Sequence, residues 1–285
     1  MKKHLLICLL LLKQICCLSQ HTDSTFYSLE EANKAPLSVK KLIIKHKNYK
    51  SIPKDIFKYS NLTELTLHNT NIKRIPKEIQ YLQNLEYLNL SYNRIRRVDP
   101  SITKLKKLKL LNLSNNNLKQ LPEAILSLKY LENLIISENK ITFLILPSSY
   151  GLKSLNANFN KIDTLREELF ERYCKLEDVS FVSNLIRNIP YDIYFARGLK
   201  YINLTNNRIK FIPEEVLLLK HLEELRVGKN LLQELPDVTK KSYIKVLDLS
   251  ENPLRSKIVR LFKEDTSIPL IIFNRRLNNY EYMPE

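Results

Sequence analysis

Beginning at residue 85, apolar side chains stand at Leu85, Leu88, Leu90 and Ile95, with polar residues between them and an asparagine at 93. The same spacing returns 23 residues later at Leu108, Leu111, Leu113 and Leu118, around Asn116. Two periods alternate inside each unit. Leu88 and Leu90 are two apart and share one face of a short strand. Ile75, Ile79, Leu82 and Leu85 are separated by four, three and three residues, the stripe of a helical turn. Each unit thus predicts a strand side and a helical side joined by two turns. Such a unit cannot bury its own apolar face, so the repeat governs the architecture. Ten units start at Val39, Leu62, Leu85, Leu108, Leu131, Leu152, Leu176, Leu199, Leu222 and Ile244.

Proline at 53, 76, 122, 190, 213 and 236 falls where the helical half of a unit begins, where a missing N–H costs least. The array departs from itself once. The spacing shrinks to 21 between Leu131 and Leu152 and stretches to 24 between Leu152 and Leu176, with Leu146-Pro147-Ser148-Ser149-Tyr150-Gly151 in place of a helical half. An indentation and a change of curvature are expected near Pro147. Before the array, Ser28-Leu29-Glu30-Glu31 reads as a capping box opening a short helix, limited by Pro36. After it, Ile258, Leu261 and Phe262 have helical spacing and residues 269–273 form a short apolar run, so both ends of the stack are expected to be covered.

These units carry the form L-x-x-L-x-L-x-x-N-x-L-x-x-I-P-x-x-I-x-x-L-x-x, and the chain resembles leucine-rich repeat proteins with bacterial-type 23-residue repeats. The resemblance implies an α/β fold: a leucine-rich repeat solenoid, or horseshoe, with a parallel β-sheet on the concave face and helices or turns on the convex face. It also implies that Asn93, Asn116, Asn139, Asn160, Asn184, Asn207, Asn230 and Asn252 turn inward and satisfy backbone groups of adjacent coils. Lys47 and Thr70 hold that slot in the first two units, where a looser coil is expected. The organisation is then a signal peptide over 1–19, an N-terminal cap over 20–38, ten repeats over 39–258 and a C-terminal cap and tail over 259–285.

The leader reading rests on Lys2-Lys3, the apolar run over 5–12 and small residues before Gln20, with cleavage after Ser19. That run is about half the ~20 residues a bilayer span needs, so no transmembrane helix is expected in the mature chain. Lipid attachment at Cys16 or Cys17 is the alternative to plain cleavage. Removal of the leader leaves Cys174 alone, read as a small buried hydrophobe, and excludes an intramolecular disulfide. A secreted, periplasmic or envelope location follows. Only three glycines occur, which excludes glycine-rich nucleotide-binding motifs.

No converging nucleophile, base or metal set stands out, so the chain reads as non-catalytic, without cofactor or metal. His46 and His68 are the best candidate metal pair, with Glu64 nearby; two solvated histidines is the simpler reading. Two surfaces compete for function. On the concave sheet, Tyr87, Asn89, Tyr92, Leu110, Asn112, Ile135, Phe159 and Tyr201 form an aromatic and aliphatic surface suited to a protein partner of unknown identity. The other surface is electrostatic. The chain has 46 Lys and Arg against 30 Asp and Glu. At one, three and four residues past the asparagine slot stand Lys50, Lys73, Arg74, Arg94, Arg96, Arg97, Lys119, Lys140, Lys161, Arg187, Arg208, Lys210 and Arg255, against Asp163 and Glu234 alone. This basic edge suits a polyanionic glycan or lipid headgroups. Export, and the lack of a stacking platform in the sequence, argue against nucleic acid.

Overall fold

A computed structural model describes residues 24–144, 151–166, 170, 175–236, 242–265 and 268–273. The leader pattern, residues 145–150 of the irregular unit, Cys174 and the tail from 274 lie outside the described residues. In chain order the strands are β1 (Thr25–Phe26), β2 (Lys41–Lys45), β3 (Glu64–His68), β4 (Arg74–Ile75), β5 (Tyr87–Asn89), β6 (Arg97–Val98), β7 (Leu110–Asn112), β8 (Asn133–Ile135), β9 (Ser154–Asn156), β10 (Asp178–Ser180), β11 (Tyr201–Asn203), β12 (Glu224–Arg226), β13 (Val246–Asp248) and β14 (Leu270–Ile272). All but β4 and β6 join one parallel sheet in the order of the chain, and β4 pairs with β6 on its own. The fold is a leucine-rich repeat solenoid with the sheet on its concave face.

The strands repeat because the apolar pattern repeats. Leu65, Leu88, Leu111, Leu134, Leu155, Val179, Ile202, Leu225 and Leu247 are strict register partners, each buried between its neighbours. The shortened unit keeps this register, since Asn133 pairs with Ser154. The helical halves are brief. Among the described residues four are 3-10 turns, at Lys54–Lys58, Lys77–Tyr81, Pro100–Lys104 and Tyr191–Phe195, and two are single α-turns, α2 (Glu123–Leu126) and α3 (Glu214–Leu217). Pro53, Pro76, Pro122, Pro190 and Pro213 take the N-cap position, one residue before the first helical one, where no intrahelical N–H is needed.

Both ends gain a strand. Before the array, α1 (Leu29–Ala32) is capped by the Ser28 hydroxyl, which accepts from Glu31 N at 3.2 Å, and β1 pairs with β2. The fully buried Tyr59 donates to Asn33 Oδ1 at 2.8 Å beneath this segment, and burial pushes its phenol up to about 12. After the array, α4 (Ser256–Asp265) is followed by β14, which pairs with β13.

Inside the turn that leaves each strand, the asparagines bind two coils at once. Asn116 Oδ1 accepts from Ile95 N at 2.8 Å, while its Nδ2 donates to Leu90 O of the preceding coil and to Leu113 O and Ser114 O of its own. Asn93, Asn139, Asn160, Asn184, Asn207, Asn230 and Asn252 repeat this bridge. A buried peptide group without a partner costs about 1–3 kcal/mol, so each asparagine replaces several such losses. Thr70 departs from the expectation of a loose second coil. It is fully buried, and its N–H and hydroxyl both donate to Asn93 Oδ1 at 3.0 Å, so the neighbouring asparagine serves its coil.

Candidate interaction surfaces

Three parallel features cross the coils: a row of charges where the chain enters the sheet, the sheet face itself, and a row of charges where the chain leaves it. On the face, Tyr87, Tyr92, Phe159 and Tyr201 are 42, 51, 55 and 44 % exposed, while Leu110 and Ile135 are half-buried between them. Tyr87 and Leu110 are register partners, as are Asn112 and Ile135. Tyr201 is set apart from this group. Five pairing steps separate it from Tyr87, roughly 24 Å at strand spacing.

Asn89 and Asn112 have a local task that their sequence position does not advertise. Asn89 Oδ1 accepts from Ser91 N at 3.0 Å, and Asn112 Oδ1 from Ser114 N at 2.9 Å. Asn156, Asn203 and Asp248 do the same two residues on, so these side chains end their strands in Asx turns. For Asn89 and Asn112 the side-chain amide N–H groups are what is left for a partner.

The residue before each asparagine slot is left-handed in every coil. His46, Asn69, Tyr92, Asn115, Glu138, Phe159, Ser183, Asn206, Lys229 and Glu251 have φ between 52° and 58°. Asparagine tolerates this region, but a bulky aromatic does so at a cost of about 1–2 kcal/mol. Two of the four exposed rings on the face, Tyr92 and Phe159, therefore sit where an asparagine would be more stable. Tyr92 leans on His68 with ring centroids 4.8 Å apart, and His68 meets His46 edge-on at 5.8 Å. His68 Nδ1 lies 2.9 Å from Ser91 Oγ, and burial, followed by the charges of His46 and Lys45, holds its imidazole below the ordinary value. Among the described residues no cluster of three or more His, Cys, Asp or Glu side chains could hold a metal, and no helix is long and apolar enough to cross a membrane.

On the entering edge the signs alternate from coil to coil: Glu86, Lys109, Glu132, Lys153, Glu177, Lys200, Glu223, Lys245. The pairs close at 2.8 Å for Glu86–Lys109, 3.0 Å for Glu132–Lys153, 2.8 Å for Glu177–Lys200 and 3.1 Å for Glu223–Lys245. Backbone bonds lock the row, because each carbonyl accepts two N–H groups of the next coil, as Glu86 O does from Lys109 N and Leu110 N. A hydrogen bond from Lys200, then its charge, keeps the Glu177 carboxyl below its ordinary value, and Lys153 on the other side adds to this. The bond to Glu86, then its charge, raises Lys109 in the same manner.

On the leaving edge all thirteen basic positions named above are exposed, and among the described residues none forms an ion pair. They crowd toward the N-terminal half. The β4–β6 pair fixes Arg74 beside Arg97 and Ile75 beside Val98, about 4.8 Å apart. Arg97 stands between two grooves. One, of about 790 Å³, is lined by Arg96, Arg97, Val98, Asn117, Lys119, Gln120, Pro122 and Lys140, with no acid among the described residues. The other, of about 420 Å³, is lined by Arg74, Lys77 and Arg97 together with Glu78 and Asp99. The Asp99 carboxylate is occupied by Ser101, accepting from its N–H at 2.9 Å and its hydroxyl at 2.6 Å. Lys161, Arg187, Arg208 and Lys210 continue the row outside these grooves.

Comparison with known proteins bears on the array. A family model described as a leucine-rich repeat region matches residues 37–189, and one described as a BspA-type leucine-rich repeat region of six copies matches residues 146–243. Among solved structures, the functional domain of InlJ from Listeria monocytogenes, which includes a cysteine ladder, superposes with a TM-score of 0.70 at 20 % identity, over 93 % of this chain and 56 % of that one. The present chain thus spans little more than half of that domain. The internalin inlF of Listeria monocytogenes gives 0.58 at 18 % identity, over 84 and 82 %. A TLR13–ssRNA13 complex gives 0.65 at 20 % identity, over 78 and 34 %. At these identities the likeness is one of fold. No curated protein matches the chain.

Proposed function

Since the chain belongs to the leucine-rich repeat family, we propose that it is a non-catalytic binding scaffold, exported to the cell surface or surroundings, whose concave sheet takes a protein partner. One observation carries this reading. Exposed rings at Tyr87, Tyr92 and Phe159 stand on the open sheet face, and two of them occupy backbone positions where a smaller polar residue costs less. Rigid aromatics at the centre of a patch are what interfaces concentrate. The test is affinity capture from the producing cell's envelope and surroundings with the wild type and with Tyr87→Ala/Tyr92→Ala. A protein captured by the first and lost by the second supports the reading; equal capture by both sinks it. The location is tested separately by N-terminal sequencing of the mature protein, which should begin at Gln20.

A second reading rests on a different observation, the unpaired cations of the leaving edge beside a neutralised entering edge. That edge would hold a polyanion by charge. Retention on a sulfated matrix that disappears at moderate salt, and that Arg94→Glu/Arg96→Glu/Arg97→Glu abolishes, is the expected result, since exposed charges are screened within about 8 Å at physiological salt. Retention unchanged in the triple variant rules the edge out.

A further inference from the structure

The cations of the leaving edge are not evenly spread, and the structure shows where they converge. Arg96, Arg97, Lys119 and Lys140 come from three successive coils and line one groove with no carboxylate among its described residues. The neighbouring groove shares Arg97 and adds Arg74 and Lys77, but carries Glu78. Resting on the second reading above, we propose that the larger groove is a discrete subsite for the sulfate or phosphate groups of a linear anionic polysaccharide, which runs along the solenoid axis and crosses Arg97 into the adjoining groove.

Three features favour a linear chain over a membrane surface. First, from Arg74 through Arg97 and Lys119 to Lys140 the cations advance one coil at a time, three steps or roughly 15 Å, so they form a line and not a disc. Second, the charges line depressions, into which a polymer can settle and a flat headgroup layer cannot. Third, attachment to lipid is strengthened by apolar side chains beside the basic ones, and among the described residues the apolar lining of the larger groove is Val98 and Pro122, neither of them among the exposed large hydrophobics. Arginine at the shared position matters chemically. Its planar fork offers paired donors to two oxygens of one anionic group, where lysine offers a point charge. The β4–β6 pairing holds the backbone beneath Arg74 and Arg97, so the two side chains leave the solenoid from adjacent, fixed positions.

The experiment measures binding of a size-defined heparin oligosaccharide to the full chain, with anionic and neutral vesicles as a second arm, for the wild type and two double variants of equal charge change. Arg97→Glu/Lys119→Glu reverses the groove, and Lys161→Glu/Lys210→Glu reverses the same edge outside it. The groove pair should weaken oligosaccharide binding at least tenfold, and the outer pair less than threefold. Arg97→Gln/Lys119→Gln, which removes the charge without reversing it, should fall between them with an unchanged melting curve, so that misfolding is separated from lost contact. Equal losses in both Glu pairs overturn the groove while leaving the edge reading intact. No binding by the wild type overturns both. Binding to anionic vesicles without oligosaccharide binding overturns the linear polymer.

Discussion

The two charged rows flanking the concave sheet have the same spacing, since both advance one coil per residue, yet they treat charge in opposite ways. Where the chain enters the sheet, acid and base alternate over eight coils and every lysine closes on a glutamate within 3.1 Å. Where it leaves, arginine and lysine follow one another without a bonded counter-charge. The spacing that makes opposite charges help makes like charges repel, so the first row contributes to the stack and the second subtracts from it. Each exposed pair is worth little; what the contrast teaches is that the scaffold has a neutral solution available and does not use it on one side.

The strongest disturbance is to the residue from which both rows hang. Asn116→Ala removes a bridge to Ile95 N, Leu90 O and Leu113 O, and should cost about 3 kcal/mol from the buried groups it leaves unpaired, read as a lower urea midpoint. A midpoint within error of wild type would mean that water replaces the amide. Next, Lys109→Glu would set three glutamates in successive coils at 86, 109 and 132. It should lower the melting temperature at low salt, with the loss shrinking at high salt; Arg97→Glu, which brings alternation to the other row beside Arg74, should leave stability equal or slightly higher. Opposite signs sharpen the contrast, and equal losses break it.

Acid should erase the difference. The Glu177 carboxyl is held below its ordinary value of 4.5 by Lys200, then by Lys153. The unfolded chain therefore takes up its proton first on acidification. The stabilisation is full above the unfolded value and is lost as pH falls through the depressed folded one, leaving lysines alone on the entering row. The leaving row, almost all arginine and lysine, keeps its charge throughout. Stability should fall below pH 4.5, more steeply at low salt, and Glu177→Gln should flatten part of that fall; an unaltered slope would show that this carboxylate is not among the linked groups. The smallest effect is expected from Tyr92→Asn, which suits φ 56° and should gain up to about 1 kcal/mol while weakening partner capture. A loss of stability would mean that the ring's contact with His68 outweighs the backbone cost.

Much of this was written in the chain, unevenly. Strand positions follow from spacing, because a buried leucine admits few alternatives, whereas the inward turn of the asparagines is implied by the resemblance to leucine-rich repeats. The entering row was legible in principle, since residues 86, 109, 132 and 153 alternate in sign once the units are aligned; pairs 21 to 24 residues apart are invisible to a reading that runs along one unit. The left-handed column was hidden by its own side chains. Asn69, Asn115 and Asn206 advertise that conformation, but tyrosine, phenylalanine, lysine and glutamate in the same place do not. The β4–β6 pair, two residues long, comes from coil stacking and has no local signature. Alternation along the strands carries no sign of the work of Asn89 and Asn112 in ending them, which appears only when the turn is seen.

The uniform register has a kinetic meaning. Successive central strands in the intact coils pair across 23 residues, as Tyr87 does with Leu110, in a chain of 285. That separation is about 0.08 of the chain length, so the sheet is built from contacts that are short in sequence compared with those of β-sandwiches. A sheet of twelve strands can thus assemble by zipping outward from any adjacent pair, without closing a long loop. Unzipping should run the other way, with amide protons exchanging soonest in β1 and β14, which have one neighbour each, and latest in the middle of the array.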